Sequence, residues 1–123
     1  MAVQAPSANR VNRALILDDE ATTVAILSRL VTSRGWEAAG ASTIHEAESL
    51  LSVMEPNVLI VDVHLGEENG LRFVERCRAH GIDAGIVVIS AEDTETLAAQ
   101  ARASGADYFL SKPIAPSALT LTI

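Results

Sequence analysis

The chain contains four apolar runs that each lead into polar residues able to do chemistry. Apart from the serine that ends the last one, each run is apolar throughout instead of alternating, which is typical of strands that are buried on both faces of a parallel sheet. Because the carboxyl ends of parallel strands lie at one edge, these polar residues should meet there, where open α/β sheets bind ligands. The runs are Ala14–Leu17 before Asp18 and Asp19, Val58–Val61 before Asp62, Ile86–Ile89 before Ser90, and Tyr108–Ser111 before Lys112.

Between these runs, apolar residues recur at the spacing of amphipathic helices. Thr43 and Glu46 have the spacing of a capping box, which marks the start of a helix. Strands and helices that alternate in this way predict a doubly wound parallel sheet built from five βα units. The predicted helices run from Glu20 to Arg34, from Ile44 to just before Pro56, from Gly70 to His80, from Asp93 to Ser104 and from Ala115 onward, and Trp36–Ala41 is the remaining strand.

Length and composition favour a single domain of 123 residues. We interpret residues 1–12 as a flexible tail that lacks the apolar core of a secretory signal, and residues 13–123 as the domain. The apolar stretches are far shorter than the about 20 residues that span a bilayer, so no membrane association is predicted.

A net charge of −7 disfavours direct binding to nucleic acid. The single cysteine, Cys77, excludes an intrachain disulfide and favours a cytoplasmic location.

The predicted sheet edge has an excess of negative charge. Asp18, Asp19 and Asp62 would bring three carboxylates together, and two charges about 4 Å apart repel by about 4 kcal/mol at an effective dielectric of about 20. Lys112 is the only lysine in the chain and cannot neutralise all three. A site with few oxygen ligands and room for water and phosphate favours Mg²⁺ over Ca²⁺. Taken alone, the Asp18 and Asp19 pair is as typical of a solvated turn or a helix cap as it is of a metal site.

A bound cation would allow a carboxylate at this edge to attack a phosphoryl group and form an acyl phosphate. Asp62 is the best candidate nucleophile, because it ends a central run alone whereas Asp18 and Asp19 form a pair suited to holding metal. The Lys112 ammonium and the Ser90 hydroxyl could stabilise the charge on the phosphoryl oxygens.

Four segments, in this order, resemble the CheY-like receiver domain of two-component response regulators: Leu17–Glu20, Asp62–Gly70, Ile89–Ala91 and Gly105–Pro113. The resemblance covers about residues 13 to 123. It implies a five-stranded parallel sheet of flavodoxin-like order 2-1-3-4-5. It also implies a domain that takes a phosphoryl group from a sensor histidine kinase or a histidine phosphotransfer protein. Such a domain is not an enzyme beyond the self-catalysed phosphorylation and dephosphorylation of its own aspartate.

The resemblance assigns roles by position. Asp62 corresponds to the phosphoacceptor. The carboxylates of Asp19 and Asp62 and the backbone carbonyl of His64 correspond to the Mg²⁺ ligands, with Asp18 acting mainly through a metal-bound water. Lys112 would bond a phosphoryl oxygen, and its peptide bond to the following proline would be cis.

The resemblance also implies a switch. Ser90 would move to bond the phosphoryl group, and Phe109 would swing inward behind it, although Phe109 as an ordinary core residue is the alternative. The surface of the fourth helix, fifth strand and fifth helix would then change for a C-terminal output domain or for a second copy of the chain. His64 and Glu92 occupy positions that tune the lifetime of the phosphoryl group in this family, and His64 as a plain loop residue is equally expected.

Three other functions compete with this interpretation. A haloacid-dehalogenase-like phosphatase also uses an aspartate nucleophile, a lysine and acidic magnesium ligands, but its nucleophile lies on the first strand and its acidic pair near the end. A flavin-binding module would need a phosphate-cradling loop where Asp18 and Asp19 stand. A docking module that works without phosphorylation would not need the complete set of acids and Lys112.

The predicted fifth helix, from Ala115 to Ile123, carries no charged residue. We expect this helix to be truncated, so that the polypeptide continues past Ile123, or to pack against another subunit. Both expectations have one cause, since Leu119, Leu121 and Ile123 are apolar and would need cover.

Overall fold

The structure, a computed structural model, describes residues 11–123, so the predicted tail of residues 1–12 lies almost wholly outside the described residues. Five strands of one sheet alternate with five helices, as the sequence predicts. In chain order these are β1 (Arg13–Leu17), α1 (Ala21–Thr32), β2 (Glu37–Ala41), α2 (Ile44–Met54), β3 (Val58–Asp62), α3 (Gly70–Ala79), β4 (Gly85–Ser90), α4 (Glu95–Ser104), β5 (Tyr108–Ser111) and α5 (Pro116–Thr122).

All strand pairs of this sheet are parallel, and the spatial order is β2-β1-β3-β4-β5. The expected flavodoxin-like fold is therefore confirmed. Leu17 pairs with Val61, and Asp62 pairs with Ile89. This register places Asp18, Asp62 and Ser90 at the ends of three adjacent strands.

Each face of the sheet carries its own apolar layer, because neighbouring strand residues point to opposite faces. α1 and α5 cover one face, where Leu27 and Leu119 are buried, and α2, α3 and α4 cover the other, where Phe73 is fully buried. Within residues 11–123, no helix is long and apolar enough to cross a lipid bilayer.

The helix boundaries follow the capping chemistry closely. Thr43 Oγ1 accepts from the Glu46 N–H at 3.1 Å, while Glu46 Oε1 accepts from the Ser42 N–H at 2.8 Å instead of from Thr43, so the capping box is offset by one residue. α4 begins two residues later than predicted, because Thr94 and not the preceding aspartate is its cap. Gly105 ends α4 in the left-handed region, with φ at 114°.

A small feature that the sequence analysis did not predict lies between β3 and α3. His64–Leu65 and Glu68–Asn69 form a two-stranded antiparallel ladder, which we call the loop hairpin. Asn69 Oδ1 then accepts from the Leu71 N–H at 2.9 Å and caps α3. The hairpin therefore fixes the short path from the end of β3 to the start of α3.

Candidate functional site

The carboxyl edge of the sheet holds the buried polar side chains of the described residues. Asp18 is 1% exposed, Asp62 is 4% exposed and Ser90 is fully buried. Burial of a carboxylate is unfavourable unless the charge is paired. The two carboxylates, which directly follow β1 and end β3, therefore need a cation or hydrogen-bond donors beside them.

Lys112, which follows β5, reaches across this edge to three carboxylates. Its Nζ donates to Glu20 Oε1 at 2.7 Å and to Asp62 Oδ2 at 3.2 Å. It also lies 2.9 Å from Asp18 Oδ2, but that contact lacks hydrogen-bond geometry and leaves this buried oxygen without a hydrogen bond among the described residues. The Lys112–Pro113 peptide bond is cis, as the resemblance implies.

The site is short of positive charge, and the pKa values of its groups reflect this. Burial and then the charge of Asp18 raise the pKa of Asp62 to about 6, against the opposing effect of Lys112. Burial alone would lower the pKa of Lys112, but its hydrogen bond to Glu20 and its close approach to the charges of Asp18 and Asp62 outweigh burial and raise it. The ammonium of Lys112 is therefore shared among several carboxylates.

The arrangement fits a divalent cation. Asp18, Glu20 and Asp62 each offer a carboxylate oxygen, and these oxygens all lie within 4.8 Å of one another. The unbonded Asp18 Oδ2 is the kind of hard oxygen donor that Mg²⁺ and Ca²⁺ prefer. A bound cation or one of its coordinated waters would supply the bond that this oxygen lacks, and the cation would reduce the repulsion among the carboxylates.

The structure brings some of the predicted ligands together and separates others. The backbone N–H of His64 donates to Asp62 Oδ1 at 3.4 Å, so the start of the loop hairpin lies against the predicted phosphoacceptor. Asp19 follows Asp18 directly, but it is exposed and does not belong to the three-carboxylate group. Its predicted role as a direct ligand stays a prediction.

The two predicted lifetime residues contact each other. His64 Nε2 lies 2.6 Å from Glu92 Oε1, and both side chains are more than half exposed. This contact joins the loop after β3 to the loop after β4. The sequence analysis named both residues but did not predict that they form a pair.

The two predicted switch residues lie on neighbouring strands. Ser90 Oγ accepts from the Glu92 N–H at 3.0 Å. Phe109 pairs with Val88 in the sheet, is half-buried and packs against the apolar layer that includes Leu97. Phe109 thus lies in the core-packing position that was the alternative to a switch role, and its movement stays a prediction.

The first residue of α3, Gly70, must be a glycine because its backbone lies against the end of β3. Its N–H donates to the Val63 carbonyl at 2.8 Å. A Cβ atom on Gly70 would overlap the backbone carbonyl oxygen of Asp62. Any side chain there would displace the strand end that carries the candidate phosphoacceptor.

Sequence reasoning missed Glu20. A glutamate just before a helix is common, and Lys112 lies 92 positions away in the chain. The one available signal was that Glu20 directly follows Asp18 and Asp19, at the same strand end.

A protein-family model described as the response regulator receiver domain matches residues 14–123. The chemotaxis protein CheY of Thermotoga maritima is 31% identical over 106 residues, which cover 85% of this chain and 88% of that protein. The alginate biosynthesis transcriptional regulatory protein AlgB of Pseudomonas aeruginosa is 29% identical over 115 residues. That match covers 94% of this chain but 26% of AlgB, so the chain spans about a quarter of this longer relative.

Solved structures show the same fold. A response regulator from Burkholderia pseudomallei, with a phosphorylated aspartic acid, calcium ion and citrate, has a TM-score of 0.84 and 28% identity, covering 90% of this chain and 65% of that chain. The chemotaxis protein CheY4 of Vibrio cholerae has a TM-score of 0.85 at 24% identity, covering 92% and 96%. With nearly its whole length matched by the family model and by CheY, the chain belongs to the response regulator receiver domain family.

Proposed function

We propose that this domain accepts a phosphoryl group on Asp62 from a sensor histidine kinase or a histidine phosphotransfer protein in the cytoplasm. The observation that carries the proposal is the Asp62 carboxylate, buried at the centre of the sheet edge and 3.2 Å from the Lys112 ammonium. With a pKa of about 6, Asp62 is mostly ionised at neutral pH and can act as a nucleophile. The proposal is also supported by the phosphorylated aspartic acid of the Burkholderia pseudomallei relative.

In the proposed reaction, a carboxylate oxygen of Asp62 forms a bond to phosphorus while the N–P bond of the donor phosphohistidine breaks. The released imidazole nitrogen takes up a proton. Lys112 bonds a phosphoryl oxygen and stabilises the charge that spreads over these oxygens. In this reaction the domain is itself the phosphoacceptor, as receiver domains are, and not an enzyme in the usual sense.

Mg²⁺ is the proposed cofactor. Asp19, the Asp62 carboxylate and the His64 backbone carbonyl would hold it, with Asp18 bonding a coordinated water. When bound, the cation supplies positive charge beside the phosphoryl oxygens. The Burkholderia pseudomallei structure contains a calcium ion, and we favour Mg²⁺ here because the site offers few protein oxygens.

The proposed output is a change in the surface formed by α4, β5 and α5. Ser90 would bond the phosphoryl group, and Phe109 would follow it inward. Tyr108 and Leu121 on these elements are 47% and 83% exposed, which suits contact with a C-terminal output domain or a second copy of the chain. The His64 and Glu92 pair lies on the two loops that flank Asp62 and Ser90, where it would affect how long the phosphoryl group survives.

The proposal is tested by incubating the protein with phosphoramidate and Mg²⁺ and locating added phosphate by peptide mass. We expect one phosphoryl group on the peptide that contains Asp62, and none there in Asp62→Asn, because an amide cannot form the acyl phosphate. Asp83→Asn is the matched control, since Asp83 is an exposed aspartate before β4. Full labelling of Asp62→Asn, or no labelling of the unaltered protein, would contradict the proposed function.

A further inference from the structure

We propose that Glu20 is a positioning residue that holds Lys112 in the resting site and so slows phosphoryl capture by Asp62. This inference rests on the proposed function. Glu20 lies at the start of α1, and Lys112 follows β5 on the other side of the sheet edge. The ion pair between them must open before the Lys112 ammonium can form its full contact with a phosphoryl oxygen.

The Glu20 side chain bonds Lys112 instead of capping its own helix. Glu20 is the N-cap residue of α1, yet its side chain makes no capping hydrogen bond. Its own N–H instead donates to Asp18 Oδ1 at 2.8 Å. The carboxylate is left to accept from Lys112 at 2.7 Å and, more weakly, from Thr23 Oγ1 at 3.4 Å. The start of α1 therefore lacks a side-chain cap, and the Glu20 carboxylate that could have supplied one forms the shortest contact of Lys112.

An ammonium has three N–H donors, and three carboxylates surround this one. The Nζ atom lies 2.7 Å from Glu20, 2.9 Å from Asp18 and 3.2 Å from Asp62. A phosphoryl oxygen that approaches Lys112 must therefore compete with these carboxylates for the ammonium.

Burial decides which partner leaves. The side chains of Asp18 and Asp62 are 0% and 5% exposed, and a buried carboxylate that lost its cation would be strongly unfavourable. The Glu20 side chain is 62% exposed, so water can solvate its carboxylate as soon as the contact opens. Glu20 is therefore the partner that exchanges with the phosphoryl group.

The ion pair with Glu20 stabilises the site before a phosphoryl group arrives. It is absent once a phosphoryl oxygen is bonded to Lys112, so it does not stabilise that state. Removing it should raise the rate of capture, whereas removing a structural contact would lower the rate or leave it unchanged. Because Glu20 is mostly exposed, the gain should be modest and should shrink as salt screens the pair.

The test compares the rate of Asp62 labelling by phosphoramidate and Mg²⁺ in the unaltered protein, in Glu20→Gln and in Glu75→Gln. Glu75 is an exposed glutamate on α3, so its variant makes the same change in net charge. We expect Glu20→Gln to be labelled about threefold faster at low salt, with the difference narrowing at high salt. Glu75→Gln should match the unaltered protein at both salt concentrations.

Two results would overturn the inference while leaving the proposed function intact. One is a Glu20→Gln variant labelled at the unaltered rate or more slowly. The other is a Glu20→Gln variant that binds Mg²⁺ as weakly as Asp19→Asn in calorimetric titration, since Glu20 would then be a metal ligand. A complete lack of labelling at Asp62 in the unaltered protein would instead overturn the proposed function, and this inference with it.

Discussion

Arg78 and Lys112 are both cations that join several loops, at opposite edges of the same sheet, but their partners differ in kind. Arg78, near the end of α3, donates to the carbonyls of Ile82 and Ala84 at 2.8 Å and of Gly105 at 2.9 Å. It also donates to Asp107, whose Oδ2 accepts from the Ile86 N–H as well. These partners are mostly uncharged and lie at the starts of β4 and β5, so Arg78 closes the amino edge of the sheet.

Within residues 11–123, the Lys112 side chain at the carboxyl edge has only charged partners, and they outnumber it. Asp18, Glu20 and Asp62 share one ammonium, and one oxygen of Asp18 has no hydrogen bond among the described residues. The polar groups that Arg78 joins at the amino edge are hydrogen-bonded, whereas the carboxyl edge has a carboxylate oxygen that is not. Hydrogen-bond satisfaction therefore separates the edge that holds the fold together from the edge that carries the proposed phosphoacceptor.

The largest expected effect concerns the amino edge. Arg78→Met should lower the free energy of unfolding by about 2–4 kcal/mol, because three carbonyls and Asp107 lose a charged donor. Labelling of the folded variant at Asp62 should be unchanged. Arg76→Met is the control, since the Arg76 side chain is 53% exposed and its ion pair with Glu48 is long, at 3.4 Å. Equal stabilities of the two variants in urea unfolding would contradict a structural role for the Arg78 hydrogen bonds.

A smaller effect is expected for the cation at the carboxyl edge. Asp19→Asn should weaken Mg²⁺ binding roughly tenfold in calorimetric titration, because it removes a proposed direct ligand. Asp107→Asn, the corresponding change at the amino edge, should leave the affinity for Mg²⁺ unaltered. Equal Mg²⁺ affinity in Asp19→Asn and the unaltered protein would remove Asp19 from the ligand set.

The smallest effect is a pH dependence of stability without metal. The pKa of Asp62 is about 6 in the folded protein and about 4 in an unfolded chain, so the folded state binds more protons between these values. The stability contributed by Asp62 is present below about pH 4 and is lost as the pH rises through 6. We expect a loss of about 1 kcal/mol, less than the full shift implies, because relaxation and water entry reduce the repulsion.

The measurement for this prediction is urea unfolding in the presence of a chelator at several pH values. Asp62→Asn cannot titrate at this position, so its stability should lack this loss. A parallel pH dependence in both proteins would assign the effect to other groups.

The sequence predicted the sheet order through a family resemblance and the site residues through a simple pattern, since Asp18, Asp62, Ser90 and Lys112 each follow or end an apolar run. It did not predict Glu20, because its contact with Lys112 depends on where the loops after β1 and β5 meet. The hydrogen bonds of Arg78 could not be predicted from the sequence either, because three of the acceptors are backbone carbonyls, which every residue carries. Periodicity reports which side chains are buried, and not which distant polar atoms they bond.

The single lysine has a practical consequence for anyone who labels or immobilises this protein. Amine-reactive dyes and cross-linkers have one side-chain target, Lys112, and acylation there would neutralise the ammonium that serves three carboxylates. The raised pKa of Lys112 also makes its amine a slow nucleophile toward such reagents. Cys77, the one thiol, is buried. A fluorophore or a surface tether is therefore best attached through a cysteine introduced at an exposed helix position far from the carboxyl edge.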